Sequence, residues 1–285
     1  MQGRFLRWCL VVGLVWLIGC PSKHASKQTG VYDAAVIAPA PASPEKVPLA
    51  SITGTVTLAP KQRLPRYTAS QFVGKPDAKQ LELPKGCTPI RDADLSPVRQ
   101  AKNGGLTPVL ITVTGFKKAP ASAPRTHLMG IEDCRIQPTL LAAMRGDTVA
   151  FTNRSPHAFL PQFRGDAFLQ AVIKDQTRLV KLSTMGAQRL GCAFGALCSG
   201  AHVVVLGHPV YAVTDAQGKF RIDNVPANQK LMVHAWHPLF RETKLEVQLV
   251  EKQERRLDLT ISPAQDGPKS KRPVPAAAQK RDQSI

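Results

Sequence analysis

The chain alternates apolar and polar residues in short stretches, and that period-of-two pattern predicts strands. Ile52-Thr53-Gly54-Thr55-Val56-Thr57-Leu58 puts its apolar side chains on one face, as a half-buried strand must. Val109-Leu110-Ile111-Thr112-Val113-Thr114-Gly115 is rich in β-branched residues and ends on glycine. Thr148–Asn153 follows the turn Arg145-Gly146-Asp147, and His202–Gly207 is apolar enough for a strand covered on both faces. Further strands are predicted at 219–222, 231–236, 245–249 and 256–261. A short helix is predicted near Leu95–Lys102, within an irregular, polar interval at about 60–105. Long helical periodicity is absent, so the expected fold class is all-β, built as β-sandwiches.

The two ends depart from this pattern. Arg4 and Arg7 precede a short apolar run, Leu10–Ile18, which is too short to span a bilayer comfortably. Leu17-Ile18-Gly19-Cys20 follows and resembles the bacterial lipobox, in which a peptidase cuts before a lipid-modified cysteine. Residues 1–19 are therefore expected to be a lipoprotein signal peptide, with lipid such as palmitate on Cys20 holding the mature chain to a membrane. The expected location is the bacterial cell envelope, on the periplasmic side of the inner or outer membrane or at the cell surface. Residues 20–50 are rich in Ala, Pro and Ser around Ile37–Pro44 and read as a disordered tether. Residues 263–285 read as a disordered basic tail carrying Lys269, Lys271, Arg272, Lys280 and Arg281.

The chain of 285 residues has a formal charge of +18; removing Arg4 and Arg7 with the leader leaves +16. For an exported protein that charge suits an anionic envelope surface or an acidic protein partner. No nucleic-acid signature accompanies it, so nucleic acid is not an expected partner. No Ser-His-Asp, Gly-x-Ser-x-Gly, P-loop or His-Glu-x-x-His pattern occurs, so an enzyme is not expected. Cys9 leaves with the leader and Cys20 is the lipid site, so Cys87, Cys134, Cys192 and Cys198 remain. An oxidising compartment allows three pairings, of which Cys192–Cys198 with Cys87–Cys134 is the favoured one; the sequence alone does not fix it.

Two stretches carry family resemblances. Val213-Thr214-Asp215-Ala216-Gln217-Gly218-Lys219-Phe220-Arg221-Ile222, continuing to Val225-Pro226, resembles the carboxypeptidase regulatory-like domain, a small transthyretin-like β-sandwich. Those modules are generally non-catalytic. Cys134–Pro138, then Met144-Arg145-Gly146-Asp147-Thr148-Val149-Ala150-Phe151-Thr152-Asn153 with His157, resembles a cupredoxin. The resemblances imply a cupredoxin-like Greek-key sandwich over 51–207 followed by a regulatory-like β-domain over 208–262. The alternative keeps 52–58 and 106–114 in the regulatory-like module, with the cupredoxin-like part inserted.

The cupredoxin resemblance also implies a copper ligand set, and the loop departs from it. In the family a histidine and then a methionine follow the ligand cysteine; here Gly195 and Cys198 stand in those places after Cys192. One reading closes Cys192 and Cys198 into a disulfide and leaves a cofactor-free sandwich. The other assembles an atypical copper or zinc site from His157, Cys192, Cys198 and His202. The expected function is accordingly a membrane-anchored, non-enzymatic binding or scaffold lipoprotein, the alternative being a periplasmic copper-binding or electron-transfer protein. His234 and His237 flank Trp236 and are expected to pack around it, while His24 and His127 read as surface residues.

Overall fold

The structure is a computed structural model that describes residues 47–68, 72, 83–163, 170–192 and 198–264. The leader, Cys20, His24, most of the tether and the tail from 265 lie outside the described residues, as does Gly195.

The first strands are β1 (Leu49–Leu58), β2 (Arg99–Gln100), β3 (Leu106–Thr107) and β4 (Leu110–Thr114). A middle set follows: β5 (Thr126–Glu132), β6 (Arg135–Gln137), β7 (Leu140–Met144), β8 (Thr148–Asn153), β9 (Pro161–Phe163), β10 (Thr177–Lys181), β11 (Gly186–Cys192) and β12 (Ala201–Leu206). The last are β13 (Tyr211–Val213), β14 (Lys219–Pro226), β15 (Lys230–Trp236), β16 (Phe240–Arg241), β17 (Thr243–Gln248), β18 (Glu254–Arg256) and β19 (Leu259–Pro263). Where a helix near Leu95–Lys102 was expected, the chain forms a single 3₁₀ turn at Asp92–Leu95 and then β2. Pro97 and the polar run after it offer no apolar face for a longer helix to bury.

The first and last sets share their sheets. β1 lies antiparallel to β14, with Gly54 opposite Phe220, and parallel to β18 and β19. β4 lies between β13 and β15, with β17 beyond. Their common core includes Ile52, Val56, Ile111, Val113, Phe220, Ile222, Val233 and Ile261. A linear division at 207/208 therefore does not follow the sheets: 49–58 and 106–114 belong with 208–262, and the middle set is inserted between them. Local alternation states which face of a strand is buried but not which strand lies beside it.

The inserted set forms two four-stranded sheets, β10-β8-β5-β6 and β7-β12-β11-β9, each containing one parallel pair (β5 with β8, β7 with β12). Its core includes Ile131, Ile136, Phe151, Phe159, Leu190, Val203 and Val205. The two sheets share this core as one sandwich, inserted into the larger one that the first and last sets build and that carries the regulatory-like motif at 213–226.

A third apolar cluster, Leu110, Leu140, Ala142, Val204 and Leu206 with Trp236 and Tyr211 against it, joins the two modules face to face. That junction explains why β4 and β12 read as continuous apolar runs. Val203 and Val205 face the inserted core while Val204 and Leu206 face the junction.

The motif at 213–226 forms the tight turn its residues predict. Asp215 Oδ1 accepts the backbone N–H groups of Gln217 and Lys219, both at 2.9 Å, and Gly218 takes φ +75°. Gly54 on β1 answers to a different demand, because a Cβ there would collide with the Leu257 carbonyl and the Phe220 ring. Gly54→Ala is expected to cost about 3 kcal/mol or more, since backbone on the crowded side cannot step aside. A urea midpoint for Gly54→Ala equal to that of the unaltered chain would refute the close approach.

Candidate functional site

Of the sequence-predicted site residues, Cys87, Cys134, His157, Cys192 and Cys198 gather at one end of the inserted sandwich. Disulfides join Cys87 to Cys134 and Cys192 to Cys198, so every cysteine among the described residues is oxidised. Cys134 and Cys198 are fully buried. The two bridges are stitched together through short polar side chains. The Cys134 N–H donates to Ser155 Oγ at 2.9 Å, the Ser199 N–H donates to the Cys134 carbonyl at 3.1 Å, and the Ile136 N–H donates to Ser199 Oγ at 2.8 Å. Each buried backbone donor here finds an acceptor, as a buried loop requires.

Asn153, the last residue of the Gly-Asp-Thr-Val-x-Phe-x-Asn run, positions His157. Its side-chain amide donates to the carbonyls of His157 (2.7 Å) and Val172 (2.8 Å), and its oxygen accepts the Ser155 N–H. The imidazole then turns to the segment before Cys87: Nε2–H donates to the Lys85 carbonyl at 2.7 Å. His202, on β12 opposite Arg189, faces the module junction instead. Burial, and next the Arg189 charge, push its pKa down to about 3. Thus the structure ties Cys192 to Cys198, engages His157 with a carbonyl, and keeps His202 a neutral junction residue. Among the described residues no group of three His, Cys, Asp or Glu side chains is placed to hold a metal ion.

Sequence reasoning did not single out Arg135, which organises this end. Arg135 is 9% exposed, and its guanidinium donates to the carbonyls of Thr88, Pro89 and Asp133 and to the carboxylates of Asp133 and Asp94, the last at 2.8 Å. Asp133 Oδ1 in turn accepts the Thr88 N–H at 2.6 Å. Residues 83–95 thereby form a strap clamped by one disulfide and one arginine. Leu83 and Cys87 pack on the inserted core, while Ile90 and Leu95 pack on the regulatory-like core. Burial works to raise the Asp94 pKa, but hydrogen bonds from Arg135 and Arg91 overrule it and hold the carboxyl down at about 2. The left-handed pair Asp133 (φ 47°) and Cys134 (φ 61°) is the nearest thing to a local signal, an aspartate before a cysteine at a tight turn.

The remaining histidines have structural partners. His127 is not a free surface residue: its Nε2–H donates to the buried Asp147 Oδ2 at 2.7 Å. Asp147 also accepts the N–H groups of Arg125 and Met144. His234 Nδ1–H donates to Glu242 Oε1 and its Nε2 accepts the Thr114 hydroxyl, both at 2.8 Å. His237 is 2% exposed, accepts the Leu239 N–H at 3.2 Å, and sets its ring edge-on to Phe240. On the regulatory-like module, an open cleft of about 470 Å³ is lined by Thr53, Thr55, Lys219, Phe220, Arg221 and Arg256, among others. Its arginines are answered by Asp223, Glu254 and Asp258.

Residues 193–262 match the carboxypeptidase regulatory-like domain family. No curated protein matches the chain. Among solved structures, the chain is similar to a reduced amicyanin variant (18% identity, 33% of this chain and 98% of that chain, TM-score 0.26). It is also similar to amicyanin from Paracoccus versutus (Thiobacillus versutus) (21% identity, 33% and 96%, TM-score 0.25). A Cu-containing nitrite reductase from Thermus scotoductus SA-01 matches at 15% identity over 33% of this chain and 25% of that one, with a TM-score of 0.25. Strand pairing defines the class, an all-β protein in which one sandwich is inserted into another, and the family match falls on the C-terminal part of it, residues 193–262.

Proposed function

We propose that this chain is a lipid-anchored, non-enzymatic scaffold or binding protein of the bacterial envelope, whose cupredoxin-like module holds no copper. The observation that carries the reading is the bond between Cys192 and Cys198. A copper–thiolate centre needs a deprotonated cysteine sulfur together with imidazole ligands. Here both sulfurs are spent on each other, His157 donates to a carbonyl, and His202 packs at the junction. The donor set does not fit the metal. What the loop offers instead is a closed ring, worth about 2–3 kcal/mol of loop-closure entropy to the folded state. The tether composition and the lipobox-like Leu17–Cys20 support anchoring.

Counting thiols in the denatured, unreduced mature chain tests this directly. The expected result is no reactive thiol and no stoichiometric copper, with Cys20 carrying acyl mass. Two reactive thiols at Cys192 and Cys198, with one copper per chain and a thiolate charge-transfer band, would overturn the reading.

A further inference from the structure

The outer face of the β10-β8-β5 sheet breaks the alternation expected of a strand with one face in water. On these strands Met129, Ile131, Val149 and Phe151 point into the core, so the intervening residues should be polar. Two are not. Leu128 is 76% exposed and Leu179 is 72% exposed. The register sets both opposite Ala150, Leu179 from β10 and Leu128 from β5, so the two exposed leucines flank the buried Ala150 in one apolar row across three strands. The next row is Lys181-Thr148-Thr126, with exposed Arg125 just before β5. Ile173, 55% exposed, stands with Lys174 on the approach to β10. Two exposed leucines aligned across one sheet face, with Ile173 on the approach to it, point to an interaction surface rather than to ordinary surface scatter.

Charge and shape decide the occupant. β10 is an edge strand, so a second copy could in principle add to it. That edge carries Arg178 and Lys181 on a chain of net +18, and like copies would repel there. The row lies on an open sheet face, which a fluid bilayer can follow without a complementary relief. We propose that this face docks on an anionic phospholipid bilayer, with Leu128 and Leu179 entering the acyl boundary and Arg125 and Lys181 meeting head-group phosphates. The inference rests on the anchored reading only in placing a membrane within reach.

The test uses the mature chain with Cys20→Ser, free of lipid, sedimented with phosphatidylcholine vesicles with or without phosphatidylglycerol. Binding is expected to be roughly tenfold tighter when phosphatidylglycerol is present, and to weaken as salt is raised through about 0.15 M. Leu128→Ser with Leu179→Ser is expected to lose binding roughly tenfold at an unchanged thermal midpoint, because both side chains are already in water. Unchanged binding by that double variant would overturn the proposal and assign the attraction to the basic tail. Absence of vesicle binding would also overturn it, as would self-association abolished by the double variant, which would point to a second copy. Acyl mass on Cys20 of the unaltered chain is read separately, so failure here leaves the anchor reading standing or falling by itself.

Discussion

Arg135→Ala is expected to lower stability by about 3 kcal/mol, the cost of removing a near-buried guanidinium from the Asp94 carboxylate and from the strap it clamps. Arg135 and Asp94 side chains are each 11% exposed, so water cannot readily replace the guanidinium. The substitution takes the guanidinium from the carbonyls of Thr88, Pro89 and Asp133, and leaves Asp94 to Arg91 and Asp133 to the Thr88 N–H. A thermal midpoint roughly 10 °C lower should follow for a folded region of this size. Arg135→Lys is expected to recover part of the loss, because an ammonium keeps the charge but cannot span these acceptors as the guanidinium fork does. Hydrogen exchange should quicken at Asp92–Leu95 first, since Cys87 still holds the other end of the strap. A midpoint within a degree or two of the unaltered chain would show that the strap contributes little.

Mild acid is expected to unfold the protein well before its carboxylates are protonated. Burial drives the His237 pKa well below the ordinary imidazole value, with His202 adding to the effect; burial and Arg189 push His202 to about 3. Both stay neutral while folded and take up protons when unfolded. The stability they permit is therefore complete above about pH 6.5 and falls as the pH drops toward the folded values. Each contributes a slope of about 1.4 kcal/mol per pH unit, so the pair gives roughly 2–3 kcal/mol per unit between pH 6 and 4. Asp94 acts in the opposite sense and lower down: its depressed pKa stabilises above about pH 3.9 and that support is lost as the pH approaches 2. Urea midpoints measured from pH 7 to pH 4.5 check this, with His202→Gln expected to halve the slope. A flat profile, or a slope that His202→Gln leaves untouched, would exclude protonation at the junction as the cause.

How much of the site was readable depends on what each residue talks to. Asn153 and His157 lie four positions apart, so the run that forms β8 also announced the turn after it. Cys192 and Cys198 close across six positions, a span that sequence can weigh against a ligand loop. Arg135 was silent because its partners other than Asp133 lie 41 to 47 positions earlier, in a stretch with no periodicity. His127 looked exposed because Asp147, its buried partner, sits across a parallel strand pair.

By itself, the sequence determined the all-β class, most of the long strands, the Asp215–Gly218 turn and the regulatory-like motif around it. Each of these is written in neighbours: alternation fixes which face of a strand is buried, and glycine or aspartate fixes where the chain turns. Only the tertiary structure decided that β1 and β4 leave the module beside them in sequence and pair with strands beyond residue 210. It alone put Arg135 at the clamp and aligned Leu128 with Leu179. A period of two carries no address for the partner strand, and cross-strand rows exist only once register is set.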